Sequence, residues 1–427
     1  MARTPAVEHS FAAACPLPVG PGPSPCGAGA GPGAGAVDAD VGGAVLRTAR
    51  AVLAERVAQA SEIDASFADE LTGRVRDFTL EGGKRLRPRL LWWGMRACGA
   101  GDATTEAALR LGVALELIQT CALIHDDVMD RSRLRRGKPA VHIGLAASAG
   151  LSPESERGSA FGTSAAVLAG DLALVWADDT VAETALPIPV RRRVGAIWRS
   201  MRTEMVAGQF LDLHGQAAGD SSAARALRTA CLKSALYSVE RPLLLGAALA
   251  DADERTTAAL RLAGRGAGIA FQLRDDLLGV FGDPGLTGKP SGDDIREGKP
   301  TYLLAVARER AGATGDGGAL DVLGRAVGNP DVTEDDLGNV RAVLEATGAR
   351  AHVEREAEHL GEEAVRRLGE AVDVGSYAGR QLLALVRAVS GGRSGPSASA
   401  PAADEGPHGH DGRADQTLTT AEGGHSR

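Results

Sequence analysis

The stretch LRLGVALELIQTCALIHDDVMD, Leu109 to Asp130, decides how the rest of the chain reads. Apolar residues recur three and four apart across it, which is the period of a helix packed on one face and not the alternation of a strand. The run breaks in RSRLRRGKP, Arg131 to Pro139, where Gly137 and Pro139 oppose helix. Asp126, Asp127 and Asp130 therefore ride near the C-terminal end of a long helix, and a spacing of four puts Asp126 and Asp130 on one face. The helix dipole makes that end partly negative, so each exposed acid there costs about 0.3–1 kcal/mol. A bound cation reverses the sign. One or two carboxylates, with phosphate oxygens completing the shell, are what Mg²⁺ prefers.

A second stretch, FQLRDDLLGVFGD from Phe271 to Asp283, repeats the chemistry: Asp275 and Asp276 close another apolar helical run. Two such ends facing each other across a bundle would line a pocket with carboxylates, an arrangement that is tolerable when divalent ions occupy it. The expected metal ligands are thus Asp126, Asp127, Asp130, Asp275 and Asp276.

Outward from these two runs, apolar positions at helical spacing recur over 42–60, 64–79, 86–98, 103–129, 165–182, 189–214, 222–250, 255–281, 300–311, 333–347, 350–370 and 373–390. Ala, Leu, Arg and Glu dominate, and aromatic residues make up only 3% of the 427. The fold class expected is all-α, a single helical bundle with a central cavity between facing helices. Gly, Ser and Pro in 144–164 read as a surface loop. Residues 1–40, almost without large apolar side chains, read as a disordered arm, and 392–427 as a disordered tail, which leaves 41–391 as the folded domain.

Net charge is −8, with 47 Lys and Arg against 55 Asp and Glu, so no overall basic field invites nucleic acid. No eighteen uncharged apolar residues run together, and no basic-then-apolar leader opens the chain. No stable membrane insertion is expected. The five cysteines show neither metal spacing nor a disulfide framework, which fits a cytoplasmic protein.

Basic residues complete the pattern. GGKRLRP, Gly82 to Pro88, sets two glycines before a basic turn and a proline suited to the first turn of a helix, so backbone amides, Lys84 and Arg87 can converge on one anion. Arg135 and Arg136 offer forked donors beside the first acidic cluster. Lys233, Lys289 and Lys299 lie further along, the last two flanking Asp293 and Asp294.

Taken in order, GGKRLRP, DDVMD with RRGKP, GDLAL, EMVAGQFLD, KSALY and FQLRDD with GKPSGDD resemble the motif series of the trans-isoprenyl diphosphate synthases over about 82 to 300. The resemblance implies an isoprenoid-synthase bundle and a homodimer. It also implies a Mg²⁺-dependent prenyltransferase that condenses isopentenyl diphosphate with an allylic diphosphate. By it, the aspartates hold Mg²⁺ on the allylic diphosphate, which Arg135, Lys233, Lys289 and Lys299 also contact. Gly83, Lys84, Arg87, Gln119 and Arg136 hold isopentenyl diphosphate. Gln119 stands where many members carry His, and an amide still donates to phosphate. Gly279 stands where the second motif usually has its third aspartate, and no direct metal role is read for Asp283, Asp293 or Asp294.

The implied reaction needs no protein nucleophile: the diphosphate leaves, and the allylic cation is attacked by the double bond of isopentenyl diphosphate. Gln272, Ser234 and nearby carbonyls would stabilise that cation, so the catalytic set is Asp126, Asp127, Asp130, Lys233, Gln272 and Asp275. His125 reads as a partner orienting a carboxylate. Cys121 and Ala122 precede Asp126 by five and four positions, about 6–7.5 Å along the helix. Both are small where relatives that stop at fifteen carbons commonly place an aromatic, so the resemblance implies a longer product, geranylgeranyl diphosphate, with Trp92, Trp93 and Phe210 as candidate floors. Two rivals remain: a non-catalytic regulatory subunit of a heteromeric prenyl synthase, and a class I terpene cyclase. The second would not need GGKRLRP.

Overall fold

Helix-favouring composition governs the architecture, as expected. The computed structural model describes residues 33–218, 222–282 and 291–391. The N-terminal half contains α1 (Ala34–Ala39), α2 (Val41–Ile63), a π-helical turn Phe67–Thr72 leading into α3 (Gly73–Leu80), α4 (Leu86–Ala97) and α5 (Thr105–Met129). A two-residue hairpin, β1 (Leu134–Arg135) and β2 (Lys138–Pro139), precedes α6 (Val141–Ser148), α7 (Glu156–Glu183) and α8 (Ile188–Ala218). Then come α9 (Ala223–Ala230), a π-helical segment Cys231–Glu240, α10 (Arg241–Leu249) and α11 (Glu254–Phe281). Last are α12 (Asp293–Arg296), α13 (Tyr302–Thr314), α14 (Gly317–Ala326), α15 (Glu334–Ala346), α16 (Ala349–Ala371) and α17 (Tyr377–Ser390).

Two apolar cores share two helices, α11 and α16. Leu111, Leu115, Ile118 and Ile124 of α5 join Leu91 of α4 and Leu243 of α10 in the larger core. Leu303, Leu337 and Val353 form the smaller one. Helix α11 gives Leu260 and Ala263 to the first and Leu273 and Val280 to the second, so the end that carries Asp275 is seated on the junction. Both Asp102–Met129 and Glu156–Glu183 are long and apolar enough to cross a membrane, with 72% and 39% of their most apolar windows buried inside the molecule. For α5 the reason is its place in the middle of a bundle, where a helix is apolar all round.

Two expectations are corrected. The arm read over 1–40 ends earlier: Ala34 and Val37 are buried, and Asp38 accepts from Trp92 Nε1 at 2.9 Å and Arg96 Nη2 at 2.9 Å. Residues 1–32 and the tail 392–427 lie outside the described residues. The loop read over 144–164 shrinks to 149–155, because α6 and the first turns of α7 occupy the rest. Gly162 is a contact point and not a break: a Cβ on it would lie 2.3 Å from the His142 carbonyl oxygen, so only glycine lets α6 and α7 approach this closely. After α5 the chain turns in the short hairpin. Arg136 and Gly137 at φ 56° and 74° turn it, and Arg135 pairs with Lys138.

Candidate active site

The end of α5 is held by cations. Asp126 lines a cavity of about 370 Å³. Its carboxylate lies 3.3 Å from Lys233 Nζ, 3.4 Å from Arg135 Nη2 and 3.4 Å from Gln209 Nε2. Burial alone would raise its pKa; Lys233, Lys299 and Arg135 outweigh that and hold it below the usual carboxylate value. Asp127 points the other way and is 0% exposed. Arg135 Nε donates to its Oδ1 at 2.8 Å, Oδ2 has no partner, and burial pushes this carboxyl up. Asp130 pairs with Lys299 Nζ at 3.2 Å.

The end of α11 faces the same cavity through Asp275 and Asp276, with Asp294 from α12 beside them. Asp276 is buried and accepts from Gln272 Nε2 at 2.9 Å. Burial, reinforced by Asp294 and Asp275, pushes its pKa up to about 8.

Between the two ends runs the π-helical segment Cys231–Glu240. Such segments are rare and concentrate at functional sites. Lys233, Ser234, Tyr237 and Ser238 all line the cavity from it. Glycines let neighbours press on its backbone: a Cβ on Gly208 of α8 would lie 2.3 Å from Lys233 N, and one on Gly268 of α11 2.6 Å from the Ala235 carbonyl oxygen. Lys233 donates to Asp212 at 2.6 Å as well as to Asp126. Burial would lower its pKa, but Asp126 and Asp212 prevail and keep it charged. Tyr237 OH donates to Gln119 Oε1 at 2.8 Å, and the Arg87 guanidinium stacks 4.2 Å over the Tyr237 ring while donating to Ser238 Oγ at 2.7 Å.

A helical bundle with two acidic helix ends and three cationic side chains on one cavity is matched by known proteins. The polyprenyl synthetase family matches residues 69–335, which include every element just described. The chain belongs to that family, and its reaction class is trans-prenyl transfer. Among curated relatives of this synthetase, a geranylgeranyl diphosphate synthase from Mycobacterium tuberculosis is 32% identical over 79% of this chain and 91% of its own. A geranylfarnesyl diphosphate synthase from Aeropyrum pernix is 32% identical over 68% of this chain and 84% of its own. Among solved structures, a geranylgeranyl pyrophosphate synthase from Corynebacterium glutamicum, complexed with isoprenyl diphosphate and magnesium, superposes with a TM-score of 0.74 at 38% identity, covering 81% and 98% of the two chains.

Within the synthetase fold, the cavity gathers Arg87, Gln119, Asp126, Lys233 and Ser234 with Gln272, Asp275, Asp276 and Lys299, all chosen from sequence. Others fall elsewhere. Asp127 sits behind Arg135, whose guanidinium is taken up by the two aspartates. Gly83 and Lys84 line a second cavity of about 620 Å³ beside Asp38, Glu81 and Arg89. Arg136 lies against Gly82, 5.3 Å over the Phe78 ring. Lys289 and Asp283 are outside the described residues.

The expected floors are not floors. Trp92 is buried in the core bonded to Asp38, Trp93 packs edge-on against Tyr377, and Phe210 is 62% exposed. The carboxylate near His125 is Asp171 and not one of the first motif: the His125 Nε2 lies 3.8 Å from Asp171 Oδ1 and 3.1 Å from the Val167 carbonyl oxygen, and its Nδ1 3.7 Å from Cys121 Sγ. Tyr237, Gln209, Asp212 and Asp294 went unassigned from sequence. The spacing of three between Gln209 and Asp212 was the available signal for one shared face.

Proposed function

We propose that this synthetase condenses isopentenyl diphosphate with an allylic diphosphate, with Mg²⁺, to give geranylgeranyl diphosphate. One observation carries the reading: the acidic ends of α5 and α11 open onto a single cavity together with Lys233, Lys299 and Arg87. Among the described residues no three acidic, His or Cys side chains gather into a ready metal cage. Mg²⁺ does not ask for one, since it uses one or two carboxylates and takes substrate phosphate oxygens and water for the rest. Asp126 and Asp130 on one side, with Asp275 and Asp276 on the other, are the residues that would hold it. Asp127 serves them through Arg135. When bound, the ion neutralises charge on the departing diphosphate.

Lys233 and Lys299, kept protonated by their carboxylate neighbours, meet the same diphosphate. Arg87, fixed by Ser238 and Tyr237, and Gln119 offer donors to isopentenyl diphosphate on the α4 side, with Gly83, Lys84 and Arg136 nearby in sequence or on the hairpin. Gln272 gives its amide N–H to Asp276, and with Ser234 it supplies dipoles that stabilise the developing allylic cation without trapping it. The bond between the allylic carbon and diphosphate oxygen breaks, the isopentenyl double bond closes on that carbon, and the proton lost from the adduct goes to the released pyrophosphate. Ala122, Leu123, Met205 and Phe271 give the cavity its apolar wall and keep water from the cation. Ala122 leaves space where a large side chain would stop the chain early, which favours the twenty-carbon product.

A second copy of the chain is proposed to cover α7, which exposes Val167, Leu168 and Val175. The domain is taken as 33–391. Cytoplasmic residence is proposed on the free thiols of Cys98, Cys121 and Cys231. Incubation with labelled isopentenyl diphosphate, a farnesyl or geranyl primer and Mg²⁺, followed by chromatography, tests the activity. A twenty-carbon diphosphate that disappears on chelation is expected; absence of any elongation overturns the reading.

A further inference from the structure

Helix α11 ends at Phe281, so the carbonyls of its last turn have no partner within the helix and must find one elsewhere. The Leu278 carbonyl oxygen is served locally, by the Gly282 N–H at 2.9 Å. The next two are served from far along the chain. The Gly279 carbonyl oxygen accepts from the Gly292 N–H at 2.8 Å, and that of Val280 accepts from Ser291 Oγ at 3.1 Å and from Arg341 Nε at 2.9 Å. Arg341 Nη2 also donates to Ser291 Oγ at 2.9 Å, so one guanidinium clasps the helix end and the returning chain together. Its planar fork serves two acceptors at once, and its charge suits the negative end of the helix dipole. Arg341 is on α15, which Leu337, Val340 and Leu344 anchor in the smaller core. Glu334 lies 3.7 Å from Arg341 Nη1 and is 72% exposed, so that pair contributes little to placing the guanidinium.

Neither Arg341 nor Ser291 lines the cavity, but what the clasp fixes does. One turn before Val280 stands Asp276, and soon after Ser291 the chain delivers Lys299, which crosses to Asp130 of α5 at 3.2 Å. The isopentenyl side is built independently, with Arg87 of α4 held by Ser238 and Tyr237 of the π segment. We propose that Arg341 is a positioning residue for the allylic diphosphate side alone: by clasping Val280 to Ser291 it sets the α11 acids and Lys299 in place without touching substrate. This rests on the function proposed above. The smaller core thereby contributes to the site through one side chain outside it.

The test sets steady-state kinetics, each substrate varied in turn, beside calorimetric binding of inorganic pyrophosphate with Mg²⁺, which needs no turnover. Arg341→Ala is expected to weaken pyrophosphate binding and raise the KM for the allylic diphosphate about tenfold, the low end of what removing a group that supports a metal site costs. The KM for isopentenyl diphosphate should stay as in the wild type. Arg341→Lys, which keeps the charge and one donor, should fall between the two. Ser291→Ala should act in the same direction and less, and adding it to Arg341→Ala should cost nothing further, because the two groups act as one unit. Arg310 of α13 supplies the control: it makes a similar clasp on the Thr347 and Gly348 carbonyl oxygens, at 3.2 and 2.9 Å, elsewhere in the smaller core. Arg310→Ala is expected to lower the melting temperature and leave both KM values unchanged. Should Arg341→Ala fail to fold, Arg341→Lys and Ser291→Ala carry the same comparison. Wild-type kinetics in the position 341 and 291 variants overturn the inference, as do equal rises for both substrates or the same rises in Arg310→Ala, which would reduce Arg341 to general stability. Failure of the wild type to bind pyrophosphate with Mg²⁺ or to elongate any primer overturns the function proposed above, and this inference with it.

Discussion

At the α5 end of the cavity, Asp126 has Lys233 and Arg135 within 3.4 Å and its carboxyl is held below the ordinary value. At the α11 end, the Asp276 carboxyl accepts from a neutral amide, that of Gln272, and is pushed up to about 8 by burial. The letters at the two ends are alike, Asp-Asp after an apolar helix, although Asp126 is in the last turn of α5 and Asp276 more than a turn before the end of α11. The shifts of Asp126 and Asp276 are opposite, while Asp127 and Asp130 are raised by burial as Asp276 is. The protein surrounds Asp126 with its own cations, drawn from the hairpin, the π segment and the chain after α12, whereas Asp276 meets burial and the charges of Asp294 and Asp275. A ligand bringing positive charge therefore gains more at Asp276 than at Asp126.

The largest effect that bears on this contrast comes from Asp126→Ala. Loss of a group that stabilises charge in the transition state costs about 10²–10³-fold, and more where it also holds a metal. A fall of about 10³-fold or more in elongation rate is expected, with far-ultraviolet circular dichroism unchanged, since Lys233 keeps Asp212 and Arg135 keeps Asp127. Turnover near that of the wild type would remove Asp126 from the metal site.

Next in size is Arg87→Ala. A hydrogen bond to a charged group contributes about 1.5–3 kcal/mol, so the KM for isopentenyl diphosphate should rise about 10–100-fold, with a smaller change for the allylic primer. Lys84→Ala should act in the same direction and more weakly, because Lys84 lies on the second cavity. Steady-state kinetics with each substrate varied in turn measures both; equal effects on the two substrates would break the division of the cavity into two diphosphate sides.

A smaller change in rate but a visible one in product is expected from Ala122→Phe. Ala122 faces the cavity whereas Cys121, one position earlier, is buried in the core. The phenylalanine should shift the product toward fifteen carbons on chromatography. Cys121→Phe should instead overpack the core at a cost of about 1–3 kcal/mol and lower the melting temperature.

These neighbours show which features were legible beforehand. Helical period and end position follow from the letters, so Asp126, Asp275 and the bundle itself could be read directly. What a residue faces after one more step of 100° could not: Phe210 drew attention as an aromatic and points to solvent, while Gln209 beside it reaches Asp126. Trp92 and Trp93 were read as cavity floor, yet α4 turns them to Asp38 and Tyr377. The glycines of α6 and α7 carried two meanings, chain break and close approach, which only a packed partner separates. Asp294 was furthest from reach, since its place over Gly279 depends on a turn at Gly292 and on no periodicity.

The smallest effect tests the contrast most directly, because Asp126 and Asp276 should respond to pH with opposite sign. Asp276 has a folded pKa of about 8 against an ordinary 3.8, so between those values the native chain carries a proton that the unfolded chain has lost. Stability then falls as pH rises through that window and levels above about 8, whereas below about 4 the group contributes nothing. For Asp126, held below the ordinary value, stability is present above that value and is lost on acidification. Thermal melts of the wild type and Asp276→Asn without divalent ions, from about pH 5 to about pH 9, should therefore diverge, the variant gaining on the wild type as pH rises. Addition of Mg²⁺ with pyrophosphate should close the gap from the wild-type side, most strongly at the alkaline end, where a full negative charge on Asp276 meets the ion. Parallel curves across the whole range would mean that the α11 end is already neutralised, and the difference between the two helix ends would reduce to burial alone.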